Sequence, residues 1–206
     1  MSEQQSRGRP SSRFDRRAFL KGSSAAAAAT ALATAPPLAE AADEAAVVGP
    51  GLTRITLNVN GQDHAIEVEP RMTLLEALRY RVGLTGAKPV SGDGSSGAST
   101  VLLDGRPVSA STVLAMQCVD RPIRTVESLG GQRPDPVVSA FVHQDAMQCG
   151  FCTPGFVVAV RAFLDKHPNA TEEEIRAGLN GNICRCGTYA NVIMAALKVV
   201  KGGGNG

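Results

Sequence analysis

Four of the chain's five cysteines fall in two tight pairs: Cys149 and Cys152 in MQCGFC, and Cys184 and Cys186 in NICRC. Each pair stands just before a stretch with helical periodicity, TPGFVVAVRAFLDKH (153–167) and TYANVIMAALKVV (188–200). A helix start exposes unpaired N–H groups and the positive end of the dipole, which favours thiolates and anionic clusters. Four thiolates converging from two loops fit an iron–sulfur or a zinc site. Two disulfides are the competing use of four cysteines in an exported chain, and they would have to cross-pair the two loops. A thioredoxin-like redox pair at CGFC needs a preceding strand and a βαβ setting, whereas helices flank it here. Cys118, in the apolar stretch TVLAMQCV, reads as a small buried hydrophobe. His64, His143 and His167 form no ligand pattern and read as surface or capping residues.

The rest of the C-terminal half supports a small helical unit. GGQRPDP (130–136) is a Gly/Pro boundary, and PVVSAFVHQDAM (136–147) reads as a helix. TEEEIRAGL (171–179) opens with Thr171 as N-cap and Glu174 at the capping-box position. With the two helices that follow the cysteines this makes a four-helix bundle, ending in a flexible tail, KGGGNG (201–206).

Before the boundary the period is two. TRITLNVNG (53–61) alternates Ile55, Leu57 and Val59 inward, Asn60-Gly61 signals a hairpin, and HAIEVE (64–69) is the partner strand. MTLLEALRYRVG (72–83) carries Leu74, Leu75, Leu78 and Val82 at helical spacing, with Thr73 as N-cap, Glu76 completing a capping box and Gly83 as the stop. TVLLD (100–104), a turn at Gly105-Arg106 and PVSAS (107–111) read as a second hairpin, and PIRTVE (122–127) as a last strand. Two strands, a helix, a loop and two more strands suggest a small α+β fold of the β-grasp type, with Ile55, Leu57, Val59, Ile66, Val68 and Leu102 in its core.

The loop between helix and second hairpin, KPVSGDGSSGAS (88–99), places Ser91, Ser96 and Ser99 at x4 and x2 spacing, with Ser111 twelve positions on. That is the cysteine spacing of a plant-type [2Fe–2S] ferredoxin. GDGSSG (92–97) also matches G-x-G-x-x-G, but a dinucleotide site needs a strand before it and a helix after, and TVLLD reads as strand.

Charge excludes some functions and marks an address. Residues 1–41 hold six basic and three acidic side chains, leaving 15 basic and 16 acidic for the remainder, so the body has no footprint for nucleic acid. DRRAFLK (15–21), the Ala-rich run 25–35 and Ala39-Glu40-Ala41 read as a twin-arginine export signal, with Asp15 where Ser is commoner. The apolar run is too short and too weakly apolar to span a membrane. The full chain is 43 % hydrophobic and has no Trp, so the body must build its core from Leu, Val, Ile and Ala.

MQCGFCTPG (147–155), GNICRCGTY (181–189), TVLLDGRPV (100–108) and IRTVE (123–127) together resemble the iron–sulfur subunit of the xanthine dehydrogenase/aldehyde oxidoreductase family of molybdenum hydroxylases, over roughly residues 52–199. The resemblance implies a ferredoxin-like β-grasp domain at 52–129 followed by a [2Fe–2S]-binding bundle at 130–200, after a signal at 1–41 and a linker at 42–51. It implies that Cys149, Cys152, Cys184 and Cys186 bind one [2Fe–2S] cluster, the one nearer the molybdopterin, and that Gln148 and the Cys186 region approach the pterin on a large partner subunit. That partner would oxidise an aldehyde or N-heterocycle. This chain, with no catalytic residue of its own, would carry the electrons toward a flavin subunit or a cytochrome c in the periplasm. In the family the first domain carries four cysteine ligands where this chain has Ser91, Ser96, Ser99 and Ser111, and a glycine where it has Val90. Serine hydroxyls stay protonated near neutral pH and are hard donors, so the resemblance implies an emptied first-cluster loop. Two other functions remain open on these residues: an assembly and export escort for the catalytic subunit, and a zinc or disulfide scaffold.

Overall fold

The structure, a computed structural model, describes residues 49–203. Strands β1 (Thr53–Val59) and β2 (Gln62–Val68) form an antiparallel hairpin in which Ile55 faces Ile66 and Val59 faces Gln62. Its turn is Asn60-Gly61, both at positive φ (54° and 80°), the conformation a two-residue hairpin turn of type I′ requires. The second hairpin pairs β3 (Thr100–Leu103) with β4 (Arg106–Ser109) around Asp104-Gly105, also both at positive φ. The turn thus lies one residue earlier than Gly105-Arg106, because Asp-Gly is the dipeptide that accepts this geometry. Strand β5 (Ile123–Arg124) joins the hairpins, parallel to β1 and antiparallel to β3, giving the order β2-β1-β5-β3-β4.

The expected strand over 122–127 shrinks to two residues for a local reason. The Asn60 side chain accepts the Thr125 N–H (2.8 Å) and donates to the Thr125 hydroxyl (2.9 Å), which withdraws Thr125 from the ladder. A 3₁₀ turn, Val126–Leu129, follows. Helix α1 (Leu74–Ala77) starts at the Thr73–Glu76 capping box, widens to a π turn over Leu78–Val82, and stops at Gly83.

The C-terminal half contains α2 (Pro136–His143), α3 (Thr153–Lys166), α4 (Glu172–Gly178) and α5 (Tyr189–Gly203). Helix α2 ends four residues before the expected Met147. Asp145 turns left-handed (φ 50°), its N–H reaches the Val142 carbonyl (3.3 Å), and the Ala146 N–H reaches the Phe141 carbonyl (2.9 Å). These two bonds are a Schellman closure, with buried Ala146 as its apolar contact. They release residues 146–152 as a loop. Among the described residues no helix is long and apolar enough to cross a membrane.

Two cores result, and β3 serves both. Val101 and Leu103 pack with Leu57, Val59, Val68, Leu74, Leu78 and Ile123 under the sheet. Leu102 points the other way, into the helical core of Leu129, Phe141, Phe156, Val158 and Ile175. A strand buried on both faces needs an unbroken apolar run, which Val101, Leu102 and Leu103 supply.

Candidate metal centre

The two cysteine loops meet at one end of the helical core. The first, 146–152, is released by the Schellman turn and runs into α3, whose N-cap is Cys152. Among the described residues no side-chain hydrogen bond caps that helix start. The second loop joins α4 to α5. There the Cys184 N–H donates to the Tyr189 hydroxyl (2.8 Å), and the Tyr189 ring stands edge-on to buried Phe156, with centroids 6.1 Å apart. Thr188 Oγ1 lies 3.2 Å from Cys184 Sγ. The loops are tied together by Asn191, on α5, whose amide donates to the Asp145 carbonyl (3.1 Å).

All five cysteines of the described chain are free thiols. Cys184 belongs to the helical core at 6 % exposure, Cys152 is half-buried, and Cys149 and Cys186 are exposed. The four interact in two pairs, Cys149 with Cys186 and Cys152 with Cys184, and Cys184 also acts through space on the other three. Within each pair the ionisation splits. Hydrogen bonding from the Phe151 backbone, then from the Cys186 thiol, holds Cys149 below the usual thiol range. Cys186 rises despite the Cys149 backbone, because the Cys149 thiol resists a second negative charge. Burial, then the Cys184 thiol, pushes Cys152 up to about 12. Burial opposes ionisation of Cys184 as well, but Thr188, the Cys152 thiol and the Cys186 backbone together bring it down to about 7.

Four soft donors ionise together only beside a cation, and the start of α3 offers N–H groups to an anion. Buried Thr153, beside Cys152, carries a hydroxyl with no hydrogen-bond partner among the described residues. An anionic iron–sulfur group answers all three features, supplying positive iron to the thiolates and sulfur to the donors. Among the described residues no three metal-binding side chains gather about one point. Cys149, Cys152, Cys184 and Cys186 are the side chains that could hold such a group. Gln148 is exposed on the rim, next to Met147 and Phe151, and Ile183 flanks the other loop. Cys118 lies apart, fully buried under the sheet.

The serine loop is ordered by its own hydroxyls, and they too form two sets. Ser91 Oγ and Ser96 Oγ are 2.7 Å apart. Ser99 Oγ and Ser111 Oγ are 3.1 Å apart, each also bonded to Ser109 Oγ at 3.1 Å and 3.0 Å. Strand β3, not a helix, follows GDGSSG, so no dinucleotide-binding turn forms. The x4 and x2 spacing of Ser91, Ser96 and Ser99 marks this loop in the sequence. The spacing gave no hint of Ser109, or of the supporting roles of Thr188, Tyr189 and Asn191.

Residues 125–197 match the family described as [2Fe-2S] binding domain. An aldehyde oxidoreductase iron-sulfur-binding subunit of Escherichia coli O157:H7 is 39 % identical over 198 residues, covering 87 % of this chain and 85 % of that one. A nicotinate dehydrogenase small FeS subunit of Eubacterium barkeri is 38 % identical, covering 71 % and 94 %. In quinoline 2-oxidoreductase from Pseudomonas putida 86, a chain 38 % identical superposes with a TM-score of 0.71, covering 75 % of this chain and 98 % of that one. Both cysteine loops, the sheet that backs them and these likenesses lead to one assignment: the chain belongs to the iron–sulfur small subunits of the xanthine dehydrogenase/aldehyde oxidoreductase family of molybdenum hydroxylases.

Proposed function

We propose that this chain is the electron-carrying subunit of a periplasmic molybdenum hydroxylase and holds a single [2Fe–2S] cluster on Cys149, Cys152, Cys184 and Cys186. The observation that carries this is that the fold brings Cys149 and Cys152, at the start of α3, and Cys184 and Cys186, ahead of α5, to one end of the helical core. When bound, such a cluster supplies a one-electron carrier whose potential follows burial and hydrogen bonds to sulfur. Cys149 and Cys152 hold it from the α3 side, and Cys184 and Cys186 from the α5 side. Tyr189 and Thr188 fix Cys184, and Thr153, beside Cys152, has a hydroxyl with no hydrogen-bond partner among the described residues.

The serine loop contributes no second cluster in this reading. Each of its four hydroxyls is already engaged with another serine, and protonated hard oxygens are poor substitutes for thiolate. The exposed rim of Met147, Gln148, Phe151, Ile183 and Cys186 is the face for the large molybdopterin-binding subunit, where an aldehyde or N-heterocycle is oxidised. The relatives' names support that substrate class. The acceptor is a flavin subunit or a cytochrome c. Export rests on the twin-arginine pattern at residues 1–41, which lie outside the described residues.

Iron, zinc and acid-labile sulfide are measured on the purified complex. About two irons and two sulfides per chain, with no zinc, is the expected result. Zinc without sulfide overturns the cluster, and about four irons overturns the single-cluster reading. Reduction by substrate and re-oxidation by an acceptor, followed at the cluster's visible band, separates an electron carrier from an export escort that stays oxidised throughout.

A further inference from the structure

The serine loop does not stand apart from the thiols. Ile183, the residue before Cys184, donates its N–H to the Ser96 carbonyl (3.0 Å). Asn182, one residue earlier and only 8 % exposed, donates its side-chain amide to the Gly97 carbonyl (2.9 Å). The backbones are in close contact. A Cβ on Gly97 would collide with the Gly181 carbonyl, and a Cβ on Gly155, three residues after Cys152, would collide with the Gly97 carbonyl. Gly97 is thus wedged between segments that continue into both cysteine loops.

The carbonyls of Ser96 and Gly97 hold their places because the serines hold the turn. Ser91 Oγ accepts the Ser96 N–H (3.0 Å) and pairs with Ser96 Oγ, which in turn accepts the Ala98 N–H (3.4 Å). The Gly97 N–H reaches the Gly94 carbonyl (3.3 Å). We propose that Ser91 and Ser96 are positioning residues for the metal centre: their hydroxyl pair locks the Ser96–Ala98 turn, whose carbonyls anchor Asn182 and Ile183 and so set the backbone from which Cys184 projects. In this inference, which rests on the function proposed above, the loop without thiols braces the loop with them.

The test uses the full chain in complex with its partner, comparing wild type with Ser91→Ala, Ser91→Thr, Asn182→Leu and, as control, Ser109→Ala, which loosens the loop at its far pair. Circular dichroism checks the fold. The readouts are the EPR g-values of the reduced protein, its midpoint potential and the rate of bleaching by a chelator. We expect Ser91→Ala and Asn182→Leu to shift the g-values and potential and to bleach about tenfold faster, the scale of lost supporting contacts at metal sites. Ser91→Thr, which keeps the hydroxyl, and Ser109→Ala should both match wild type. Unchanged readouts in folded Ser91→Ala overturn the proposal, as does an equal shift in Ser109→Ala, which would mean general loosening. If Asn182→Leu fails to fold, Ser91→Ala decides alone. Wild type without iron and sulfide overturns the proposed function and this inference with it.

Discussion

The chain presents two four-residue constellations of similar design, one ending in oxygen and the other in sulfur. Ser91, Ser96, Ser99 and Ser111 meet in two pairs within one loop and hairpin, and Cys149, Cys186, Cys152 and Cys184 meet in two pairs across two loops. A hydroxyl both donates and accepts, so the serines satisfy one another, and even the buried pair Ser99–Ser111 needs no visitor. Thiols are weak hydrogen-bond partners, and the cysteines split their ionisation within each pair. Hydroxyls thus close such a geometry on itself, whereas in the function proposed above thiols open it to a metal.

Removing sulfur from the second constellation should have the largest effect. Cys184→Ser or Cys149→Ser is expected to reduce iron and sulfide to background. It should destabilise the helical half by about 4 kcal/mol, the linkage value for a ligand present at a thousand times its dissociation constant, read as a drop in melting temperature. A full complement of iron in either variant breaks the contrast. Adding sulfur to the first constellation is the converse. Serine-to-cysteine changes at 91, 96, 99 and 111, combined with Val90→Gly, should raise iron from about two to about four per chain and add a second EPR signal. A well-folded variant with one signal would show that more than the donor atom separates the loops.

Smaller changes sharpen the comparison. Tyr189→Phe leaves the Cys184 N–H without its acceptor, which should cost about 1–3 kcal/mol in chemical denaturation of the apo protein. Cys118→Ser places a hydroxyl in the sheet core for about 1–3 kcal/mol but should leave the visible spectrum unchanged, and a bleached variant would redraw the ligand set. The mildest is Ser109→Ala. Ser99 and Ser111 remain bonded to each other, so a loss of about 1 kcal/mol is expected, and a much larger one would show that Ser109 holds the whole network.

Much of this architecture can be read from the sequence where a local rule acts alone. Asn60-Gly61, the capping boxes at Thr73 and Thr171, and the alternation of Ile55, Leu57 and Val59 all specify what forms. The cysteine pairs mark the two loops that the fold brings to one end of the helical core. Sequence patterns fall short where a distant partner decides. The strand expected at 122–127 stops at Arg124 because Asn60, 65 residues away, captures Thr125. Helix α2 stops at His143 because Asp145 turns left-handed, which a helical pattern through Met147 conceals. The Asn182–Gly97 contact spans 85 residues, and nothing in GNICRC discloses that its asparagine reaches the serine loop.

Strand β3 gives Val101 and Leu103 to one core and Leu102 to the other, so it is a party wall between the two halves. Neither half can melt without stripping cover from the far side of that wall, so the two should unfold as one cooperative transition. The same wall explains why a ferredoxin-like half whose loop has serines at the ligand positions is not dispensable. Cut away at residue 129, it would leave Leu102 facing water and the helices α2–α5 without the strand against which α3 packs.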